Sequence, residues 1–255
     1  MSSSTWTPAA LSSDARPLAG TCWRLIEAQH HVSTMKLVDT LDEQAALEEM
    51  IEVTKPAVPA ECRELHYLLS TPFRYGAPYP HGSRFRRAGM SEGVFYASES
   101  PQTAVAEMTF HRLLFFAESP TTPWPANPAE FTAFSVEFRT PRAIDLTIGG
   151  YAAHRSLWTD VMNYAHCQEL ADAARAADVD IIRYLSVRDP AGRKNLALLR
   201  CRAFAQPRPL ATQSWRLFLS LSGAQAKCEA PKAGLTFDRD TFAGDPRIAA
   251  LNWSR

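Results

Sequence analysis

An arginine, a tyrosine and a glutamate fall on three successive segments of this chain: Gly82-Ser83-Arg84-Phe85-Arg86-Arg87, Gly93-Val94-Phe95-Tyr96-Ala97-Ser98 and Ala104-Val105-Ala106-Glu107. A guanidinium grips a phosphate through paired N–H donors, an aromatic ring stacks on a flat heterocycle, and a carboxylate steadies a sugar cation. Together these are the tools for opening a nucleotide at its N-glycosidic bond. Arg74, Arg86 and Arg87 stand near Arg84 and enlarge the candidate diphosphate site; the plain alternative is a solvated basic loop. Tyr96 lies in an apolar run, so a half-buried core tyrosine competes with ligand stacking. Glu107 is flanked by Ala104, Val105, Ala106 and Met108, with no other acid between Glu99 and Glu118. Carboxylates are seldom placed on such a surface without a task, although an ion pair with Arg112 would also account for it. Ser186, in Tyr184-Leu185-Ser186-Val187-Arg188, and Asn195 can line the same cleft or serve as ordinary strand and turn polar groups.

These residues must be positioned by an α+β framework. A first strand is expected over residues 21–28, then a helix opened by the capping box Thr40-Leu41-Asp42-Glu43 and stopped by Pro56 and Pro59. A short extended segment at Leu65 to Leu69 leads into a Pro/Gly/Tyr loop (Pro72 to Gly82) that delivers the arginines. Gly93 to Ala97 reads as a strand. Ser100-Pro101 then marks a helix start, with Ser as N-cap and Pro as first helical residue, running to about Phe116. Glu107 falls in its second turn, where the positive end of the dipole favours an ionised carboxylate. Beyond a proline-rich loop (Ser119 to Pro128), strands are expected at Phe131 to Arg139 and Ala143 to Thr147. A long helix follows at Leu157 to Ala176, then strands at Ile181 to Val187, Asn195 to Phe204 and Trp215 to Leu221, with a turn at Asp189-Pro190-Ala191-Gly192. Strand pairs interrupted by helices are not a regular βαβ series.

The 255 residues suit one domain, residues 18–255, behind a flexible N-terminal tail, residues 1–17, rich in Ser, Thr and Ala. Lys plus Arg and Asp plus Glu each number 27, which supplies no long-range attraction for nucleic acid or an acidic membrane. Apolar runs such as Leu113 to Ala117 fall far short of the roughly 20 residues that span a bilayer. Cys22, Cys62, Cys167, Cys201 and Cys228 are odd in number and scattered, which argues against a disulfide framework or structural zinc and for a reducing cytoplasm. No H-E-x-x-H is present and the pair His30-His31 defines no metal site, so no metal is expected; nor is there a Rossmann glycine pattern or a Walker loop. Gly89-Met90-Ser91-Glu92-Gly93 matches the G-x-S-x-G of serine hydrolases, which keeps Ser91 as an alternative nucleophile. The expected setting, an arginine-rich loop before it and a strand after it, is not that of a nucleophile elbow.

The order and spacing of Trp23-Arg24-Leu25, Gly82-Ser83-Arg84-Phe85, Gly93 to Ser98, Ala104 to Glu107, and Leu185 to Arg188 with Asn195 resemble the RES domain, the toxin half of RES–Xre toxin–antitoxin pairs. The resemblance implies an ADP-ribosyltransferase-like core of two small packed β-sheets with surrounding helices, and NAD as substrate. It implies hydrolysis or phosphorolysis of NAD, or ADP-ribosyl transfer to a protein. The residues it carries over are Glu107, Arg84, Tyr96 and Ser186 as catalytic, with Arg24, Arg84, Arg86, Tyr96, Ser186 and Asn195 holding NAD. Here Gly-Ser-Arg-Phe-Arg stands where Gly-Gly-Arg-Trp-Asn is usual, so Arg84 and Arg86 both remain candidates for the phosphates; residues 25–80 are a longer decoration. An Xre-like antitoxin and self-association into a homodimer are the implied partnerships, and a catalytically inactive binding protein of the same fold is the further alternative.

Overall fold

The computed structural model describes residues 6–28, 37–74, 82–90 and 92–254. Its first half comprises α1 (Pro8–Asp14), β1 (Arg16–Glu27), α2 (Leu41–Thr54), α3 (Tyr67–Ser70), β2 (Phe95–Ser98), α4 (Pro101–Glu118) and β3 (Ala129–Asp145). There follow α5 (Gly149–Ala153), α6 (Arg155–Thr159), α7 (Ala165–Ala176), β4 (Ile181–Leu185), β5 (Lys194–Leu198), β6 (Ala211–Ser220), β7 (Gly223–Glu229), β8 (Lys232–Asp238) and α8 (Pro246–Ala249). The expected mixture of strands and helices is present.

The strands form one hydrogen-bonded network in the order β1-β2-β5-β4-β3-β6-β7-β8, with β1 also paired to β3. This replaces the two separate sheets of the expectation, and the reason is the length of β3. Its 17 residues pair with β6 over Ala129 to Ser135 and, in parallel, with β4 over Ala143 to Asp145. Along its other edge β1 runs from Glu27↔Phe131 to Arg16↔Ala143 and touches β2 at Trp23↔Ser98. The two strands expected around Pro141 are therefore one. Pro141 sits beside the register irregularity between Arg16 and Leu18, where a missing N–H costs no ladder bond.

Local caps set the helix bounds. The Thr40 side chain accepts from Glu43 N while the Glu43 carboxylate accepts from Thr40 N, which starts α2 where the sequence places it. Ser100 Oγ accepts from Thr103 N, with Pro101 at the first helical position of α4. One side of α4, including Ala104, Val105, Phe110 and Leu113, packs on Trp215, Leu217 and Ala226 of β6 and β7. A second core joins Phe85, Ile144, Trp158, Leu170 and Ile182 under α6 and α7.

Several expectations are corrected. Within the tail expected over residues 1–17, the described part is folded: α1 buries Leu11 completely and Trp6 stacks on Tyr151 with ring centroids 4.5 Å apart, while residues 1–5 lie outside the described residues. Leu65 to Leu69 is not extended, because His66 Nδ1 accepts from Leu68 N and opens α3. The helix expected over 157–176 is broken: Asp160 Oδ1 accepts from Met162 N and Asn163 N, and Asn163 Oδ1 from Ala165 N, so the chain turns before α7. β5 stops at Leu198 and a 3₁₀ turn, Cys201–Ala203, follows. Cys62 and Cys201 form a disulfide, their Cα atoms 5.7 Å apart, joining segments 139 residues apart in sequence. Glu61 beside them completes a group of three with metal-ligand atoms, but its two sulfurs are bonded to each other and none of the three lines the cleft described below. Among the described residues, no helix is long and apolar enough to cross a membrane.

Gly93 shows how tightly the segment before β2 is held. A Cβ there would lie 2.0 Å from the carbonyl oxygen of Pro72 and 2.7 Å from Phe73 Cα, both backbone atoms that cannot swing aside. Gly93→Ala is expected to destabilise the protein by about 1–3 kcal/mol through overpacking. Urea denaturation checks this; an unchanged midpoint would show that the two segments are not in contact.

Candidate active site

The arginine segment is a tight turn. Ser83 N donates to Arg86 O at 2.8 Å and Arg86 N to Ser83 O at 3.2 Å, while Gln168 of α7 donates Nε2 to both carbonyls from outside. Phe85, fully buried against Tyr184, anchors the turn in the core. The Tyr96 hydroxyl clamps it from β2, accepting from Phe85 N at 2.9 Å and sharing a 2.8 Å hydrogen bond with Ser83 Oγ. Burial pushes the Tyr96 phenol pKa up, against the pull of those bonds, so the ring is neutral. Tyr96→Phe leaves the Phe85 N–H without its acceptor and is expected to cost ~1–3 kcal/mol. Thermal unfolding checks it, and wild-type stability in that variant would contradict the clamp.

Arg84 points inward from this turn. Its Nη1 donates to Trp158 O at 2.8 Å and its Nη2 to Asp160 O at 3.0 Å, and the guanidinium lies over the Tyr164 ring, 4.5 Å from its centroid. These carbonyls become available because the helix breaks at Asp160. Arg24, on β1, donates Nη1 to Tyr96 O at 2.8 Å and lies over the Phe95 ring.

Glu107 projects from α4 toward β4 and β5. Its Oε1 accepts from Ser186 Oγ and from Asn195 Nδ2, both at 2.6 Å. Ser186 Oγ itself accepts from Arg188 N at 3.2 Å and Asp189 N at 2.9 Å, so its proton is directed at the carboxylate. Asn195 is oriented in turn by Ser98 Oγ, which donates to its Oδ1 at 2.7 Å. Among the described residues nothing hydrogen-bonds Glu107 Oε2. The loop that supplies the two N–H groups is held by Asp189, which accepts from Thr103 Oγ1 of α4 at 2.7 Å and from Arg193 Nε at 2.6 Å. Burial opposes ionisation of Asp189, but Arg193, Thr103 and Ala191 N outweigh it and keep the carboxyl below its usual range.

A cleft of about 460 Å³ opens over these groups. Arg24, Arg84, Tyr96, Glu107 and Asn195 line it; Ser186 stands behind Glu107 and Arg86 is not in the lining. Arg84 is thus the arginine of the turn that reaches the cleft. His111, Tyr164, Arg188 and Arg247, none of them among the residues expected from the sequence, also line it. His111 was detectable, one turn beyond Glu107 on the same helical face. Burial, joined by Arg188 and Arg247, lowers its pKa against the opposing pull of Glu107, which favours neutral imidazole. Arg188 lies 3.7 Å over the Phe110 ring, and Asp245, itself outside the lining, pairs with Arg188 at 3.1 Å and Arg247 at 2.8 Å. Among the described lining residues four guanidiniums face a single carboxylate, Glu107. Such a cleft suits an anionic ligand that develops positive charge at one point. Ser91, the alternative nucleophile, and His30-His31 lie outside the described residues.

The RES domain model matches residues 58–220. β1, with Arg24, and Arg247 lie outside that match yet contribute to the cleft. No curated protein matches the chain. Among solved structures, the M. tuberculosis MbcT–MbcA toxin–antitoxin complex contains a chain with 13% identity, covering 80% of this chain and 89% of that one at a TM-score of 0.47. On the family match, which takes in more than half of its length together with the arginine turn, β2, Glu107, Ser186 and Asn195, the chain belongs to the RES domain family.

Proposed function

We propose that this protein is the toxin of a RES–Xre toxin–antitoxin pair and cleaves the nicotinamide–ribose bond of NAD, on an ADP-ribosyltransferase-like core. The observation that carries this reading is Glu107: one carboxylate oxygen is fixed by Ser186 and Asn195, in a cleft where, among the described lining residues, it is the single carboxylate among four guanidiniums. The dinucleotide's diphosphate is held by Arg84 with Arg24, and the nicotinamide ring lies against Tyr96. Glu107 Oε2 takes the nicotinamide ribose. As the glycosidic C–N bond breaks, its electron pair stays with the ring nitrogen and nicotinamide leaves neutral. The oxocarbenium ion that remains is stabilised by the fixed negative charge, so no second acid is required. An acceptor oxygen or nitrogen then adds to the sugar carbon and loses its proton. Ser186 and Asn195 act by orienting Glu107.

The family supports an Xre-like antitoxin as the partner that restrains this activity, a cytoplasmic site of action and self-association of the toxin. Nucleic-acid contact belongs to the antitoxin, since this chain has no net charge. Mass spectrometry of the products tests the assignment: ADP-ribose marks water as acceptor, its phosphorylated form marks phosphate, and an adduct on a protein marks transfer. Fluorophosphonate labelling abolished by Ser91→Ala, with NAD intact, would instead establish the serine-hydrolase alternative. Binding of NAD without any turnover would establish the inactive one.

A further inference from the structure

We propose that the free edge of β8 is a self-pairing surface, through which two copies of this chain join antiparallel into one continuous sheet. The strand ends the sheet order with β7 as its single neighbour, whereas β1 at the other end pairs back onto β3. Among the described residues, no backbone hydrogen bond from outside the β7–β8 pair reaches Lys232 to Phe237. Alternate N–H and C=O groups along this edge therefore lack a protein partner. Charge is confined to the two ends of the strand, Lys232 and Asp238, and its interior lacks the usual protections of an edge. Pairing to β7 runs in unbroken register from Glu229↔Lys232 to Gly223↔Asp238, with no bulge, and the interior residues Ala233 to Phe237 include neither charge nor proline.

The strand is also complementary to itself. A two-fold axis through Leu235 sets Lys232 opposite the partner's Asp238 and Asp238 opposite the partner's Lys232. Lys232, Gly234, Thr236 and Asp238 all lie exposed on the outer face, so these two ion pairs form on one side of the joined sheet. Ala233 and Leu235, half-buried on the inner face, bring the core of one copy to that of the other, with Leu235 against the partner's Leu235. Both pairings fall in the same register, the condition for an isologous contact that closes as a dimer rather than growing into a fibre. β8 lies beyond the residues matched by the family model, so this surface belongs to the chain's own extension and is independent of the activity proposed above. Two seven-residue edges make a small interface, and the dimer is expected to dissociate on dilution.

Sedimentation velocity of the full chain over a range of concentrations tests this. The wild type is expected to dimerise, and Lys232→Glu and Asp238→Lys each to weaken the dimer about tenfold by turning two attractive cross-strand pairs into repulsive ones. The double variant restores it, with the charges exchanged. Lys232→Glu also meets Glu229 across β7, whereas Asp238→Lys meets Gly223, so the second single variant separates pairing between copies from damage to the hairpin. A wild type that stays monomeric at every concentration overturns the proposal. So does a dimer indifferent to Asp238→Lys, or one the double variant fails to restore; either would assign the edge to another occupant.

Discussion

Glu107→Gln is expected to lower nicotinamide release from NAD by about a hundredfold or more while leaving the fold intact, since removal of a preorganised electrostatic group at a developing charge carries a penalty of that order. The substitution separates charge from shape. Glutamine keeps an oxygen where Ser186 Oγ and Asn195 Nδ2 donate at 2.6 Å, so the network from Ser98 through Asn195 to the Arg188 and Asp189 amides survives. What is lost is the negative charge facing the sugar cation. Initial rates with the thermal midpoint measured in parallel check the prediction. Wild-type turnover by the glutamine variant would remove Glu107 from the chemistry, and unfolding would show that its charge is structural.

The second large effect falls on Arg84 and has two parts. The residue is buried, 8% exposed, and its guanidinium is bonded to the carbonyls of Trp158 and Asp160 across the junction of α6 and α7. Arg84→Ala deprives both carbonyls of a charged donor and should cost about 2–4 kcal/mol of stability. Arg84→Lys should recover part of this, because a single ammonium does not reproduce the planar fork that meets both oxygens and the Tyr164 ring together. The other part is NAD affinity, expected to fall at least about tenfold in the alanine variant. It is best measured by calorimetry with Glu107→Gln as the common background, so that NAD is not consumed. Unchanged stability would deny the carbonyl contacts; unchanged affinity would move the phosphates to Arg188 and Arg247. The sequence suggested only the second part, because Trp158 and Asp160 lie 74 and 76 residues from Arg84.

The starts of α2 and α4 follow from Thr40, Glu43, Ser100 and Pro101, whose bonds close within four residues. Glu107 and Tyr96 stood out because each is a polar group in an apolar run, and the structure places both on one cleft. The break at Asp160 was written in Asp160 and Asn163, both residues that bond to nearby backbone, but the apolar periodicity on either side masked it. β7 is not among the expected strands, although Ala224, Ala226 and Cys228 alternate with Gln225, Lys227 and Glu229 as a half-buried strand should. Alanine is a weak strand former, and only packing against α4 and β6 gives that face its value. The Cys62–Cys201 bond has no local signal, since its partners meet only when the segment before α3 docks beside the end of β5. Arg247 likewise enters the cleft through its bonds to Asp245, which also binds Arg188, far away in sequence.

Cleavage of NAD is tested most directly by incubating the purified chain, freed of any bound partner, with NAD and following nicotinamide by chromatography. Nicotinamide is expected to accumulate in step with NAD loss, at a rate proportional to enzyme. NAD still intact after prolonged incubation with folded protein would contradict it.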